Sequence, residues 1–312
     1  MRRLSLDLTA CDASGYHGAP LGLNLPAALA GAGGLEGLRL SVDWPLVDVW
    51  WALSALPRLG QLWMHQRAPV VRGCGWMPRA AGQAPWPALW ALTVTAGSDV
   101  DLVVMDGPGS PHGVRDLLVS DVPRRQNRLR GQPSPLYLKG LVDVLQRSAA
   151  ALRSVQICST NPVGPTRRLC HALERLAAVE VLRVDLHGVR PPCRWSGLCR
   201  ALGRGPCRPP LRVLELGTLG ERPSALWRLR PPGGGSGGPW RLPVLRITLG
   251  VPSAQPPMLE GVAHFAAAAS RAWVDRIEFL IHAQHGWTPE RMEALEEALS
   301  SRDARECAVF VM

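Results

Sequence analysis

The 312-residue chain has almost no lysine: Lys139 is the only one, so its formal charge of +10 is carried by arginine. With 32 glycines and 29 prolines, this bias has the signature of a GC-rich coding sequence, and the charge is not read as a ligand signal. No apolar run reaches the roughly 18–20 residues of a bilayer-spanning helix, which predicts no membrane partner. The opening stretch MRRLSLDLTACD is broken by Asp7 and lacks the continuous apolar core of a secretory signal. There is no CxxC pair. The eight cysteines are scattered, so reduced thiols in the cytoplasm or nucleus are expected. Cys193, Cys199 and Cys207 are spaced by six and eight, wrong for close zinc-ligand pairs, and no cofactor or metal is expected. A nucleophile elbow, a phosphate-binding loop and an HExxH helix are all missing. GPGSPHG, at 107–113, lacks the Lys-Ser/Thr ending a phosphate loop needs. The expectation is a protein that is not an enzyme.

What is present is a repeat. An apolar residue, two spacers, an apolar residue, one spacer and a third apolar residue recur along the chain. The pattern fits a strand whose alternate side chains enter a core. It reads Met1-Leu4-Leu6, Leu35-Leu38-Leu40, Leu59-Leu62-Met64 and Leu89-Leu92-Val94, then Leu152-Val155-Ile157 and Val179-Leu182-Val184. Leu211-Leu214-Leu216, Leu242-Leu245-Ile247 and Val274-Ile277-Phe279 follow, with Cys307 and Val309 as a weak last copy. From position 155 the central residues advance by 27, 32, 31, 32 and 30. The 63-residue gap between 92 and 155 predicts a hidden copy, for which Val114-Leu117-Val119 is the candidate.

Between the strands lie helical spacings: Leu138, Leu141 and Leu145; Leu169, Leu173 and Leu176; Met292, Leu295 and Leu299. The last set follows Thr288-Pro289, where threonine can cap and proline can occupy the first turn. Strand and helix alternating at about 30 residues form the unit of an α/β solenoid. The chain resembles leucine-rich-repeat proteins, nearest to the helix-containing ribonuclease-inhibitor-like and F-box-associated type. It departs from that pattern three positions after the last strand residue, where Asn or Cys usually ladders the turns. Here stand Thr9, Asp43, Arg67, Gly97, Thr160, His187, Leu219, Gly250 and His282, which predicts irregular turns. The competing fold is a doubly wound parallel sheet, whose strands read as continuous apolar runs. VLRVDL and LRVLEL interleave polar residues instead. The reading is therefore one α/β leucine-rich-repeat horseshoe over residues 1–312, with a parallel inner sheet and outer helices or loops. Loop insertions are expected near 106–135 and 231–239.

In this register the spacer between the second and third apolar positions faces outward. It runs Ser5, Arg39, Trp63, Thr93, then Gln156, Arg183, Glu215, Arg246 and Glu278. The last four alternate in sign and predict a charge ladder between strands about 4.8 Å apart. Such a ladder either supports register or forms a polar docking surface. Seven of the twelve tryptophans fall between Trp44 and Trp90, and Trp63 and His65 take outward positions. Trp50 and Trp51 are expected in core or loop packing. Exposed aromatic and arginine residues are the types enriched at binding hot spots. The candidate protein-binding set is thus Arg39, Trp63, His65, Thr93, Arg183, Glu215, Arg246 and Glu278.

The resemblance implies a protein-interaction module, with the substrate-recognition adaptor of a ubiquitin ligase as one form and a regulatory or inhibitory repeat protein as another. Leu25-Pro26 and the following alanines lack the acidic and apolar residues of an F-box. The chain starts and ends in strand-like segments, LSLDL and CAVFVM, so polar end caps are expected to come from further sequence or a partner. An alternative function uses Arg124, Arg125, Arg128 and Arg130 to meet nucleic acid or an acidic partner. No aromatic interleaving accompanies these arginines, which weighs against nucleic acid.

Overall fold

The computed structural model describes residues 2–7, 31–42, 53, 56–66, 86–96, 111–121, 139–159, 167–186, 195–208, 210–219, 223–229, 240–250, 256–281, 287–302 and 306–311. They form two compact units, Met1–Leu152 and Arg153–Met312.

In the N-terminal unit, β1 (Arg3–Asp7), β2 (Gly37–Val42), β3 (Gln61–Gln66), β4 (Ala91–Ala96) and β5 (Asp116–Asp121) pair in chain order, each parallel to the next. Helix α1 (Lys139–Arg147) follows. The C-terminal unit repeats the arrangement with β6 (Ser154–Ser159), β7 (Val181–Leu186), β8 (Val213–Leu219), β9 (Leu242–Leu249), β10 (Val274–Ile281) and β11 (Cys307–Val311). Between these strands stand α2 (Arg167–Glu174), α3 (Trp195–Arg204), a 3-10 helix (Pro223–Leu229), α4 (Pro256–Ala272) and α5 (Pro289–Ser300). This is the open, all-parallel sheet of an α/β solenoid. The described strands keep chain order in each unit, so they show no switch point of a doubly wound sheet.

The spacing pattern sets the register residue by residue. Leu4, Leu38, Leu62, Leu92 and Leu117 are direct partners across the N-terminal sheet. Val155, Leu182, Leu214, Leu245, Ile277 and Cys307 are direct partners across the C-terminal one. The hidden copy is real, and β5 carries it. From β2 to β10 all three apolar positions of every repeat are buried. Each such side chain contributes about 1.5–3 kcal/mol of transfer free energy relative to exposure. A slip of one residue would turn the whole set outward, which is why the register is so strongly specified.

Successive repeats are linked by a ladder of backbone hydrogen bonds. The amides of Glu36 and Gly37 both donate to the Arg2 carbonyl at 2.9 and 3.0 Å. Gly60 and Gln61 converge likewise on Glu36, Trp90 and Ala91 on Gly60, and Arg115 and Asp116 on Trp90. In the C-terminal unit Glu180 and Val181 share the Arg153 carbonyl, and Arg212 and Val213 share that of Glu180. Each carbonyl has two lone pairs, so one acceptor satisfies both the last turn amide and the first strand amide. This ladder runs along the amino ends of the strands. Of the turn positions beyond the carboxyl ends, only Leu219 and Gly250 lie within the described residues.

The helices cover the opposite face of the C-terminal sheet. Leu169, Ala172 and Leu173 of α2 are buried, as are Leu295 and Leu299 of α5, following the expected stripes. Leu141 and Leu145 of α1 are buried in the N-terminal unit, while Leu138 lies outside the described residues. Thr288 does occupy the N-cap of α5, with Pro289 in the first turn, but its side chain makes no cap hydrogen bond. The hydroxyl serves the Glu290 carboxylate instead, which lowers the pKa of that group. Ser148 is buried, and its Oγ accepts from the Val114 amide at 3.3 Å, tying the turn after α1 to the start of the β5 repeat.

Candidate functional site

Strand alternation leaves one sheet face to the outward residues, and the register arranges them in rows. In the N-terminal unit the central row is Ser5, Arg39, Trp63, Thr93 and Leu118, each beside the next on the neighbouring strand. Arg39 is exposed, Thr93 and Leu118 are half-buried, and Trp63 is 52% exposed. Leu118, contributed by the hidden copy, completes a row in which sequence reasoning placed only its first four members.

Two further rows flank it. Toward the carboxyl ends of the strands lie Asp7, Ser41, His65, Thr95 and Ser120, with a hydroxyl–hydroxyl contact of 3.1 Å between Thr95 and Ser120. Toward the amino ends lie Arg3, Gly37, Gln61, Ala91 and Asp116. Gly37 and Ala91 flank Gln61, and the Arg3 side chain lies over Gly37, its Cγ 3.3 Å from where a Cβ would stand. A second exposed tryptophan, Trp90, covers Gly60: a Cβ on that glycine would lie 2.7 Å from the indole Nε1. Gly60 is three residues before Trp63, about 10 Å along the strand. By contrast Trp86, one turn earlier in the chain, is buried and held at a φ of 58°. Trp50 and Trp51 lie outside the described residues.

The C-terminal unit has a different open face. Its central row is Gln156, Arg183, Glu215, Arg246, Glu278 and Ala308. Arg183 Nε stands 3.0 Å from Glu215 Oε1, and Arg246 Nε stands 2.6 Å from Glu278 Oε2. Among the described residues the expected continuous ladder therefore breaks into two pairs. Arg276, absent from the ladder read in the sequence, brings its Nε to 3.0 Å from the other Glu278 oxygen. Glu278 is only 7% exposed, so this carboxylate is held by two guanidinium groups in a largely dry position. Arg183 is less well served: its Nε is buried without hydrogen-bond alignment to Glu215, and Asp185 Oδ1 is buried without a partner. The Asp185 carboxyl fills the place that a side chain at Gly217 would take. Half-buried Val181, Val213 and Val244 form an apolar row alongside.

The eight candidate residues thus fall into two sets. Arg39, Trp63, His65 and Thr93 share the face of the N-terminal unit; Arg183, Glu215, Arg246 and Glu278 share that of the C-terminal unit. Sequence reasoning missed Trp90, Leu118 and Arg276. It also missed Trp227 on the 3-10 helix, which is 41% exposed and packs edge-on against Phe265 with ring centroids 5.8 Å apart. Arg124, Arg125, Arg128 and Arg130 lie outside the described residues, as does 231–239.

Cys199 and Cys207 are buried, and burial pushes the Cys207 thiol up to about 12. Cys207 thus behaves as a small hydrophobe. Cys193 lies outside the described residues. Among the described residues no three His, Cys, Asp or Glu side chains converge as metal ligands. No described helix is long and apolar enough to cross a membrane. No protein-family model matches the chain, and no curated protein is similar to it in sequence.

Proposed function

We propose that this chain is a protein-interaction module of the leucine-rich-repeat type, docking its partner on the open sheet face of the N-terminal unit around Trp63. One observation carries the reading: an indole 52% exposed on a strand whose Leu62 and Met64 are buried on the opposite face. Leaving so much apolar surface in water is unfavourable, and tryptophan is the residue type most enriched among binding hot spots. Thr93 and Leu118 extend the surface on one side and Arg39 on the other. The C-terminal face fits this role less well, because Arg246 and Arg276 already hold Glu278 and its central row of Gln156, Arg183, Glu215, Arg246, Glu278 and Ala308 offers no large apolar side chain.

Reduced thiols at Cys207 and Cys307 fit a reducing compartment, the cytoplasm or nucleus. The resemblance to F-box-associated repeats makes a substrate-recognition adaptor of a ubiquitin ligase the specific form to test. A photoreactive side chain placed at Thr93 is expected to crosslink a partner protein in cells. The same side chain at Glu296, exposed on α5, serves as the control. Capture at Thr93 that vanishes in Trp63→Ala supports the reading, and ligase subunits in the captured material select the adaptor form. Equal capture at both positions, or no effect of Trp63→Ala, refutes it.

A further inference from the structure

The two open faces treat their arginines differently. In the C-terminal unit each central-row arginine has a glutamate directly beside it on the next strand, Arg183 with Glu215 and Arg246 with Glu278. In the N-terminal unit the register neighbours of Arg39 are Ser5 and Trp63. Arg39 makes no ion pair among the described residues, although it is exposed and sits next to Trp63, the most exposed tryptophan among the described residues. Asp116, on the same face, is three strands away, about 14 Å at normal strand spacing. Asp7 already has a partner of its own. Arg3, in the adjoining row, is likewise exposed and unpaired among the described residues.

We infer that the partner presents an acidic segment, placing an Asp or Glu carboxylate on Arg39 and a neighbouring large apolar side chain on the Trp63 indole. The inference rests on the docking role proposed above and specifies its chemistry. A guanidinium offers a planar fork that a carboxylate fills with two parallel hydrogen bonds, and the adjacent indole excludes water from one side of that pair. Leu118, two strands beyond Trp63, gives a second apolar contact at a distance of about 10 Å. The segment therefore alternates an acid with bulky apolar residues, the complement of a row that alternates Arg39, Trp63, Thr93 and Leu118. A phosphate backbone fits less well, since affinity for nucleic acid grows with the number of phosphates neutralised and Arg39 is the one cation in the described central row.

The test selects a random phage-displayed peptide library on the full chain, with folding of each variant checked by circular dichroism. Peptides enriched in Asp or Glu beside Leu, Phe or Trp are expected. Their affinity should fall about tenfold or more in Arg39→Ala and in Trp63→Ala. Arg39→Glu should reject them and accept the same peptides with the acid changed to Arg. Peptides that depend on Trp63 but show no acidic preference, or bind Arg39→Ala equally, overturn this inference and leave the docking role standing. Failure to select any Trp63-dependent peptide overturns both. Single-stranded RNA bound through Arg39 and Trp63 would replace the acidic segment with a nucleic acid.

Discussion

Arg246 Nε and Glu278 Oε2 lie 2.6 Å apart across β9 and β10, and Arg276 Nε approaches the other oxygen of the same carboxylate at 3.0 Å. A carboxylate this enclosed is costly to leave unpaired, and two cations share the task. Arg246→Ala should lower the unfolding free energy by about 1–3 kcal/mol, below the roughly 3–5 of a fully buried pair, because Arg276 remains. Arg246→Ala combined with Arg276→Ala should cost more than the two singles added, since Glu278 then has no cation. Urea unfolding of the four proteins measures this. Strict additivity would show that the two arginines act independently.

Gly205, just past the end of α3, packs against the last residue of α2. A Cβ there would meet the Glu174 carbonyl oxygen at 2.5 Å and its Cα at 2.6 Å. Backbone cannot swing aside as a side chain would, so Gly205→Ala must push α2 and α3 apart. A loss of about 1–3 kcal/mol is expected, the range for overpacked interiors. Gly33 is the control, having nothing within 4 Å of its ideal Cβ. Gly33→Ala should stay within about 0.5 kcal/mol of wild type. Equal melting temperatures for the two variants would contradict the tight helix packing.

The strand register was legible because one arithmetic rule fixes it. Leu38, Leu62 and Leu92 are apolar at matched positions, and any slip would expose them together. Trp63 was legible for the same reason, as alternation alone puts it outward. Trp86 was not, because its place depends on a left-handed turn rather than on strand periodicity. The backbone ladder at the amino ends of the strands leaves no side-chain signature at all. Nor does the sequence reveal Arg276 as a partner of Glu278, two residues away on its own strand, or the long alanine-rich α4. Alanines bury too little area to draw a clear stripe, and VAHFAAAAS reads as weakly periodic.

Arg241, just before β9, closes the carboxyl end of α4 in a way that spacing could not reveal. Its Nη2 donates to the carbonyls of Ser270 and Val274, both at 2.6 Å, while its Nε pairs with Asp275. The last carbonyls of a helix lack intrahelical donors and carry the negative end of its dipole, so a cation there is doubly favourable. Arg241→Ala should speed amide exchange in the last turn of α4 and cost about 1–2 kcal/mol. Arg241→Lys should recover only part, because an ammonium cannot reach two carbonyls and a carboxylate in one plane. Full recovery by lysine would reduce the role to charge alone.

Cys207 links the C-terminal core to alkaline stability. Burial raises its thiol from the ordinary 9.0 to about 12 in the folded chain. Because the folded pKa is the higher one, the neutral thiol's contribution is complete below pH 9 and is lost as pH rises from 9 toward 12. The unfolded chain releases this proton first. Over that window the unfolding free energy should fall with a slope that includes one proton's share, about 1.4 kcal/mol per pH unit at most. Cys207→Ala should remove that share and flatten the alkaline limb, while lowering stability at neutral pH through the cavity it leaves. Thiol labelling gives a second reading. At pH 8.5 the native protein should leave Cys207 unmodified, and reaction should appear only with denaturant. An alkaline limb unchanged by Cys207→Ala, or ready labelling of the native thiol, would place Cys207 nearer water than its apolar surroundings allow.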